Sequence, residues 1–465
     1  MKNAVQKVSE CKYVLPKIAD MRVEATAFMS EALFEASDRA LWNQLATIAS
    51  YPGVTSVYAM PDAHAGVGIP VGIVAVTEDT LIQSVSGFDI SCGVIYAKAT
   101  LNAGSVRSKH KRREWIDAVE KRVALGPGHS RPKLMPKFDK KKTEDVLREG
   151  ALALGVDPSL CERASIPISR AFDHKAIDRA WSKASDQLGS VGGGNHFVEL
   201  QCDSESGEVF IMLHCGSRGY GYQTAEHFFY KGAELRGLAK NRREQSWLRI
   251  DEELGKQYWE HHNSAANYAI ANRHVIMEGL REATQEVFDA DIEVYYEISH
   301  NLIQEETLVL PDGTTKKGFV HRKGTTRAMP AQHPDLKGTR WEETGHPCLI
   351  PGSMYDGAVV LFPLVGAHES ACSVNHGSGR VMARGEAKRK LEHKQERIDD
   401  EMANVQRQFG GTTIEGILTN GRHVVLDECR HVYKDLDAVI ATLQESGIAR
   451  VDRRLYPIAN IKAGN

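Results

Sequence analysis

Five short segments of this chain place a metal-ligand or nucleophilic side chain beside glycine or small polar residues. They are Asp89-Ile-Ser-Cys92, Gly192-Gly-Gly-Asn-His196, His214-Cys-Gly-Ser-Arg218, His300-Asn301 and Asn375-His-Gly-Ser-Gly-Arg380. Glycine lets the backbone approach a phosphate closely, and carboxylate, thiolate and imidazole groups are ligands that divalent transition metals accept. The combination predicts a metal-assisted reaction on a nucleotide.

The candidate metal ligands are one carboxylate, one thiolate that can bridge two metals, and three imidazoles. They are Asp89, Cys92, His196, His214 and His300. A histidine near an apolar strand is more often a hydrogen-bonded structural residue than a ligand, and this chain has 19 histidines. The spacings match no short zinc motif, so the residues alone leave both interpretations open. Ligand softness by itself favours zinc over manganese.

His376 is the candidate nucleophile, because flanking glycines expose its ring and a neutral imidazole can attack a metal-activated phosphorus to form a phosphoramidate. The alternative is a histidine that caps a glycine turn. The glycines before Asn195 can form a backbone nest around a phosphate, and Glu199 can accept hydrogen bonds from guanine. The alternative here is a glycine turn before a strand.

Three longer motifs add a family resemblance. They are Met60-Pro-Asp-Ala-His-Ala-Gly-Val-Gly-Ile-Pro-Val-Gly72, Gly87-Phe-Asp-Ile-Ser-Cys-Gly93 and His321-Arg-Lys-Gly-Thr-Thr-Arg-Ala328. With the five short segments they resemble the RtcB-type RNA-splicing ligases, in the family's order from about residue 23 to residue 462. None of these motifs is a generic fold signature.

The resemblance implies roles for single residues. All five candidate ligands match the family's ligands for a pair of Mn²⁺ ions, so manganese is inherited from the family, and His376 matches the residue that carries covalent GMP. Asp62 matches a position needed for activity, although a turn or capping aspartate also explains it. Implied nucleotide contacts are Asn195, Glu199, Ser353, Met354, Gly377, Gly379 and Lys462, and implied RNA phosphate contacts are Arg218, Lys323 and Arg380.

Some positions depart from the family pattern. Asn375 and Ser378 are not the usual choices beside the nucleophile, and Ala358 stands where a guanine-contacting serine is expected. These departures leave strict GTP preference open and are typical of a divergent branch. For Lys323 and for Arg327 in the same loop, surface cations with carboxylate partners remain the alternative to phosphate binding.

The function implied by the resemblance is a GTP- and Mn²⁺-dependent RNA ligase. It would join RNA 3′-phosphate or 2′,3′-cyclic phosphate ends to 5′-hydroxyl ends through a histidine–GMP intermediate, in tRNA splicing or RNA repair. An archease-like activating protein is the candidate partner. The alternatives are a metal-dependent 2′,3′-cyclic phosphodiesterase or end-processing enzyme without ligation, and a non-catalytic RNA-binding subunit, which would use neither the metals nor the nucleophile.

Composition sets independent limits. The 465 residues are 42% hydrophobic and 26% charged, which predicts a globular protein with a large core, and we expect one catalytic domain over residues 1–465. No signal peptide or long apolar stretch is present, so we expect a cytoplasmic protein with no membrane association. The net charge is −3, yet residues 107–142 contain 13 Lys or Arg against four acids. This basic stretch is either an RNA contact or a solvated helix face.

The periodicity predicts a mixed α/β (α+β) fold with β-sheets surrounded by helices. Apolar runs at 197–201, 209–214 and 292–298 predict buried strands that place a histidine at an end. Helices are predicted at 30–49, 169–188, 252–287 and 384–408. Residues 126–137 predict a loop, and 311–318 predict a hairpin turn.

Overall fold

The computed structural model describes residues 1–126, 132–310 and 312–463. Its strands are β1 (Gln6–Ser9), β2 (Lys12–Leu15), β3 (Ala25–Phe28), β4 (Val54–His64), β5 (Val71–Thr77), β6 (Thr80–Leu81), β7 (Gly93–Asn102), β8 (Ala124–Leu125), β9 (Ser190–Gly192), β10 (Phe197–Asp203), β11 (Glu208–Cys215), β12 (Leu248–Arg249), β13 (Ile292–Ser299), β14 (Asn301–Val309), β15 (Thr315–Lys323), β16 (Thr325–Arg327), β17 (Cys348–Pro351), β18 (Ala358–Pro363), β19 (Ser373–Asn375), β20 (Gln406–Phe409), β21 (Thr412–Glu415), β22 (Leu418–Thr419) and β23 (Ala449–Ile461).

The α-helices of the same ranges are α1 (Glu31–Ala36), α2 (Arg39–Ala49), α3 (Lys109–Glu120), α4 (Lys140–Glu149), α5 (Asp178–Gln187), α6 (Arg218–Leu235), α7 (Glu253–Phe288), α8 (Arg384–Leu391), α9 (Gln395–Asn404) and α10 (Leu436–Glu445). Helices and sheets are mixed along the chain, so the predicted α/β class is confirmed. None of the helices found in the described residues is both long and apolar enough to span a membrane.

Two sheets organise the molecule. One has seven strands in the order β1-β2-β3-β4-β5-β15-β14. The other follows the path β13-β7-β11-β10-β23-β18-β17, with β22 pairing to β23 in parallel. The strands β13, β7, β11 and β10 are neighbours and antiparallel throughout. The starts of β7 and β10 therefore meet the ends of β11 and β13 at one edge of this sheet.

The alternation of side chains between the two faces of β11 explains on which face His214, near the end of this buried strand, lies. Val209, Ile211 and Leu213 pack into a core that α3 and α7 cover, whereas Phe210 and Met212 face a second core on the opposite side. His214 continues the second set because side chains in a strand alternate between faces. The strand's apolar residues thus fix the face on which this histidine lies.

Helix α7 is 36 residues long, or about 54 Å at 1.5 Å per residue, and its C-terminal half packs on the first core. Residues 261 to 277 are buried throughout, so this helix is apolar or hydrogen-bonded on all sides in its middle. The predicted helix at 252–287 is confirmed within one residue at each end. A helix buried on every side can hold polar residues only where their donors and acceptors are paired.

Several predicted helices were too long. Ser37 and Asp38 break the predicted helix at 30–49, since Asp38 is extended and its Oδ1 accepts from the Ala40 amide as the cap of α2. The predicted helix at 169–188 begins only at Asp178, because Ser169 and Asp173 bind nearby backbone amides instead.

The C-terminal predicted helix at 384–408 is also interrupted. It divides into α8 and α9, and its last residues enter the hairpin of β20 and β21. In the predicted loop at 126–137 and the predicted turn at 311–318, residues 127–131 and Pro311 lie outside the described ranges.

Candidate metal and nucleotide site

The sheet edge described above carries four of the five predicted metal ligands. Cys92 directly precedes β7, His196 directly precedes β10, His214 lies near the end of β11, and His300 directly follows β13. Phe197 is paired with His214, and Gly93 is paired with both Cys215 and Ser299. Strand order and register therefore bring together residues that are as much as 208 positions apart in the sequence, from Cys92 to His300.

The ligand atoms point at one another. Cys92 Sγ lies 3.3 Å from His196 Nε2 and 3.2 Å from His214 Nε2, and His214 Nε2 lies 3.1 Å from His300 Nε2. Asp89 Oδ2 lies 2.9 Å from His196 Nε2. Donor atoms that share one ion are about 3.3–4 Å apart, given metal–ligand bonds of about 2.0–2.3 Å. The cluster is thus near the spacing that a transition metal requires, with the thiol between two imidazoles.

Hydrogen bonds fix which nitrogen faces the cluster. His196 Nδ1 donates to the Val191 carbonyl at 2.9 Å, and His214 Nδ1 donates to the Asn195 carbonyl at 3.2 Å. Each Nε2 therefore keeps its lone pair. Burial holds the pKa values of His214 and His300 well below the ordinary value, so these rings are neutral, as metal ligation requires.

Ser217 holds the Asp89 carboxylate on the side away from His196. Its Oδ1 accepts from the amide and hydroxyl of Ser217 at 2.9 and 3.2 Å, which leaves Oδ2 towards His196. A Cβ at position 216 would lie 2.3 Å from Asp89 Oδ1, so only glycine fits there. Burial disfavours the ionised form, but the adjacent His196 ring and the charge of Arg218 prevail and lower the pKa of Asp89 to about 2. The site thus offers an ionised carboxylate.

Arg273 of α7 ties three of the ligand segments together. Its Nη1 donates to the carbonyl oxygens of Ser91 and Cys215 at 2.6 and 3.0 Å, and its Nη2 donates to Ser299 Oγ at 3.1 Å. These three residues are the chain neighbours of Cys92, His214 and His300. Glu297 pairs with the buried guanidinium through Nε at 2.6 Å. One planar cation therefore sets the spacing between three loops.

Arg273→Lys should weaken metal binding by about 10- to 100-fold, because one ammonium cannot hold three separate acceptors and outer partners of ligands have effects of this size. The measurement is Mn²⁺ and Co²⁺ binding by equilibrium dialysis, with the Co²⁺–thiolate absorption band as a second readout. The control is Arg112→Lys, since buried Arg112 also donates to three carbonyls but outside the ligand segments. Equal metal affinity in the two variants would show that Arg273 has only a general structural role.

His376 lies beside this cluster, with its ring centroid 4.9 Å from that of His300. Its Nδ1 donates to Asp62 Oδ2 at 2.9 Å, so Nε2 keeps the lone pair that a nucleophile uses. Asp62 is fully buried, and its Oδ1 has no partner among the described residues. A Cβ at position 379 would lie 2.1 Å from the Asp62 carbonyl, so a glycine permits this contact. The Asp62 side chain therefore orients His376, which a turn aspartate would not explain.

A cavity of about 200 Å³ opens next to His376. Predicted nucleotide and phosphate residues line it together with His214, and they are Asn195, Glu199, Ser353, Met354, Gly377, Gly379, Arg380 and Lys462. Lining residues that sequence reasoning missed are His64, Phe197, Arg384, Glu428, Tyr433 and Asn460. Of these, Asn460 carried a signal, since it lies two residues before Lys462 on the same face of β23.

Glu428 pairs with three cationic side chains that line this cavity. It accepts from Lys462 Nζ at 3.1 Å, from Arg384 Nη1 at 2.6 Å and from Arg380 Nη1 at 3.2 Å. Tyr433 donates its hydroxyl to the same carboxylate at 2.6 Å. Burial alone would raise the pKa of Glu428, but Lys462 and Arg384 hold it below the ordinary value. Arg380, predicted to bind RNA phosphate, thus lines the same cavity as the predicted nucleotide contacts.

Glu199 stands on β10 with both carboxylate oxygens held by amide donors. Asn460 Nδ2 donates to Oε1 at 2.6 Å, and Gln201 Nε2 donates to Oε2 at 2.7 Å. Burial raises the pKa of Glu199 to about 7, although these two hydrogen bonds oppose the shift. Ser353, another predicted nucleotide contact, donates its hydroxyl hydrogen to Asp356 Oδ2 at 2.6 Å. Ala358 is buried in β18, and the cavity lining in the described residues does not include it.

The other two predicted RNA phosphate residues, Arg218 and Lys323, lie on the side of the Asp89 loop. Arg218 begins α6 and donates to Ser190 Oγ at 3.0 Å and to the Gly126 carbonyl at 2.8 Å. Burial lowers the pKa of Lys323 to about 8. Lys323 directly precedes Gly324, and a Cβ added at position 324 would come close to the His376 ring. Arg327 instead forms a buried ion pair with Glu162 at 2.8 Å, so it has the carboxylate partner that the alternative interpretation expects but is not a surface cation.

The basic stretch at 107–142 is largely on α3 and α4. Lys109 pairs with Glu415, and Arg122 pairs with Glu282, both at 3.1 Å, while Arg112 is buried. Lys140 and Lys141 are exposed in the first turn of α4. Some cations of this stretch therefore pair with acids of the same chain, and residues 127–131 lie outside the described ranges.

Comparison with known proteins covers nearly the whole chain. The family described as tRNA-splicing ligase RtcB matches residues 44–463. The chain is 32% identical to the tRNA-splicing ligase RtcB of Thermococcus kodakarensis, over 98% of each protein, and 32% identical to that of Archaeoglobus fulgidus, over 99% of each. It is 31% identical to the RNA-splicing ligase RtcB of Mycobacterium tuberculosis, over 90% of this chain and all of that protein. The predicted resemblance is confirmed.

Proposed function

Since this chain belongs to the tRNA-splicing ligase RtcB family, a family of RNA ligases, we propose that it joins RNA 3′-phosphate or 2′,3′-cyclic phosphate ends to 5′-hydroxyl ends with GTP and two Mn²⁺ ions. The observation that carries the proposal is the meeting of His376, its partner Asp62, the ligand cluster and the cavity in one place. A pure RNA-binding subunit would have no use for this combination.

The first step is guanylylation of His376. Its Nε2 attacks the α-phosphorus of GTP, an N–P bond forms, and the bond to the bridging oxygen breaks to release pyrophosphate. Asp62 holds the Nδ1 proton and stabilises the positive charge that develops on the ring. Asp89, Cys92, His196, His214 and His300 would hold the Mn²⁺ ions, which supply charge neutralisation for phosphoryl transfer and activation of water for opening cyclic ends.

Two further transfers complete the reaction. An oxygen of the RNA 3′-phosphate attacks the phosphorus of histidine-bound GMP, the N–P bond breaks to free His376, and the RNA end becomes a 3′-phosphate–GMP phosphoanhydride. The 5′-hydroxyl then attacks the RNA phosphorus, and GMP leaves. Activation is needed because an unmodified phosphate monoester has only a poor leaving oxygen, whereas GMP leaves readily.

The cavity is the proposed nucleotide site. Glu199 would accept hydrogen bonds from the guanine ring, and Lys462, Ser353 and Met354 would contact the nucleotide. Asn195 and the glycines at 377 and 379 would surround the α-phosphate beside His376. Because Ala358 replaces an expected serine and lies outside the cavity lining, we expect guanine preference to depend mainly on Glu199.

The RNA end is proposed to bind on the metal side, at Arg218 and Lys323, with Arg380 between the RNA and the nucleotide. We also propose that residues 1–465 form one catalytic domain, because residues as distant as Asp62 and Lys462 serve one site. An archease-like activator, a cytoplasmic location, and roles in tRNA splicing or RNA repair complete the proposal.

The experiment that tests the proposal is ligation of two purified RNA strands. One strand ends in a labelled 3′-phosphate and the other begins with a 5′-hydroxyl, and reactions contain Mn²⁺ with GTP, with ATP or with no nucleotide. A longer, phosphatase-resistant product that requires GTP is expected. Opening of 2′,3′-cyclic ends without any joined product would favour the phosphodiesterase alternative.

Asp62→Asn should slow guanylylation of His376 by about 100- to 10,000-fold, because an amide can donate to Nδ1 and so favours the tautomer without the Nε2 lone pair. The rate is measured with α-labelled GTP in single turnover. Asp203→Asn is the matched control, since Asp203 is also buried but accepts from two amides in a turn at the opposite end of β10. Equal rates for the two variants would contradict the orienting role of Asp62.

A further inference from the structure

An exposed aromatic pair lies beside the metal cluster. The ring of Tyr222, on α6, stacks on the ring of Phe88 with centroids 5.1 Å apart and planes inclined by 21°. Phe88 in turn meets the edge of buried Phe229 at 4.9 Å. Tyr222 is 44% exposed although its partner is anchored in the core. The pair therefore presents an aromatic surface whose orientation is already fixed.

The position of this pair connects it with the reacting end. Phe88 is the residue directly before Asp89, and Tyr222 follows Arg218, the first residue of α6, by four positions. Ser217, which immediately precedes Arg218, is the residue that holds Asp89 Oδ1. Phe88 therefore connects the aromatic surface to the loop of the candidate ligand Asp89. Tyr222 connects the same surface to the proposed phosphate contact, Arg218.

Charge favours a nucleic acid as the occupant. Lys323 reaches the backbone of Gly87, next to Phe88, since its Cε would lie 3.9 Å from a Cβ at that position. Arg218 precedes Tyr222 by four residues in the same helix, and its guanidinium binds Ser190 and the Gly126 carbonyl. Aromatic rings bordered by cations are typical of single-strand binding, in which a base stacks on the ring and a cation contacts the adjoining phosphate. An apolar protein segment would gain nothing from these cations.

We propose that Tyr222, supported by Phe88, stacks the base of the RNA 3′-terminal nucleotide, the nucleotide whose phosphate is activated. This inference rests on the proposed function. The site takes any unpaired base, because every base has a stacking face. It orders the end of the 3′ strand before the phosphate meets histidine-bound GMP, so it acts on RNA affinity and not on GTP.

Tyr222→Ala in the full chain should raise the KM for the 3′-phosphate strand by about tenfold, the effect of one lost base–ring stack, while kcat changes little. Tyr222→Trp should restore the low KM. Tyr230→Ala is the matched control, since Tyr230 is 42% exposed on the same helix two turns further on. Circular dichroism verifies the fold of each variant. A KM in Tyr222→Ala equal to that of Tyr230→Ala would overturn the proposal.

Abasic strands separate stacking from other effects. Removing the base of the 3′-terminal nucleotide should weaken binding to the wild-type protein about tenfold and leave binding to Tyr222→Ala unchanged, as measured by fluorescence anisotropy. Removing the first base of the 5′-hydroxyl strand should affect both proteins equally. Independent, additive losses would overturn the proposal. If intact RNA binds but is never joined, the proposed function fails, and the anisotropy still decides whether Tyr222 stacks a base.

Discussion

His376→Ala is expected to lose covalent GMP and all joining of 3′-phosphate ends, yet still to open a 2′,3′-cyclic phosphate to a 3′-phosphate. The reason is that the imidazole is needed only to carry GMP. The five candidate metal ligands are separate residues, and their contacts with one another do not pass through His376. Opening of a cyclic phosphate requires activated water at the metals and no nucleotide.

The rescue of this variant is the sharpest part of the prediction. RNA supplied with its 3′-phosphate already joined to GMP needs only the final displacement by the 5′-hydroxyl, so His376→Ala should join it. Gel analysis of labelled strands measures both reactions in the same preparation. Joining of uncapped ends by the variant at the wild-type rate would contradict the role of His376 and point to another nucleophile.

Cys92→Ala is expected to abolish every step, including cyclic phosphate opening. Its thiol lies between His196 and His214, so its loss removes the one ligand atom that contacts both imidazoles. We expect Mn²⁺ affinity to fall by more than about 100-fold, beyond the 10- to 100-fold typical of residues that only support a ligand. Bound metal is measured by elemental mass spectrometry after dialysis, beside ligation.

Cys215→Ala is the matched control for Cys92→Ala. Both cysteines are buried at the same sheet edge, but Cys215 faces the α7 core, where its sulfur accepts from Asn272 at 3.5 Å. Its loss should leave a small cavity and a mild effect on activity. Full ligation and full metal content in Cys92→Ala would remove the basis for a two-metal site.

The short chemical segments could be recognised from the sequence because each is adjacent to a strong strand pattern. The apolar runs before His214 and before His300 correctly predicted strands that end at a ligand. What the pattern could not provide is the order β13-β7-β11-β10, since the hydrophobic period fixes the faces of a strand but not its neighbours. The family resemblance, not the spacing, grouped the ligands in advance.

Other parts of the site had no local signal. Glu428 and Tyr433 lie in irregular segments far from the recognised motifs, and their position beside Lys462 and Arg384 depends on tertiary packing. Arg273 is a single charge within a helix pattern, so only its burial against Ser91, Cys215 and Ser299 indicates a role. Helix ends were misjudged where the Ser37 hydroxyl donates to the Phe34 carbonyl and where Asp38 and Asp173 accept from nearby backbone amides, a competition that hydrophobic periodicity does not register.

The structure distinguishes between the two interpretations of Asp62, the hydrogen-bond partner of His376, that the sequence leaves open. From the sequence, Asp62 is explained equally well as a turn residue. In the fold it lies buried with one oxygen 2.9 Å from His376 Nδ1, inside a strand whose neighbour Gly379 permits the approach. Within the described residues the Asp62 carboxylate has this imidazole as its side-chain hydrogen-bond partner, an arrangement that orients the ring and supports a nucleophilic role for it.

The most direct test of the account is to locate the covalent intermediate. The protein is incubated with Mn²⁺ and GTP labelled at the α-phosphate, the acid-labile label on the protein is quantified, and mass spectrometry of a peptide digest identifies the modified residue. The account predicts one GMP per chain, attached to His376 through nitrogen and released by pyrophosphate or by RNA with a 3′-phosphate. Protein that ligates RNA without any such label, or that carries GMP on a different residue, would contradict it.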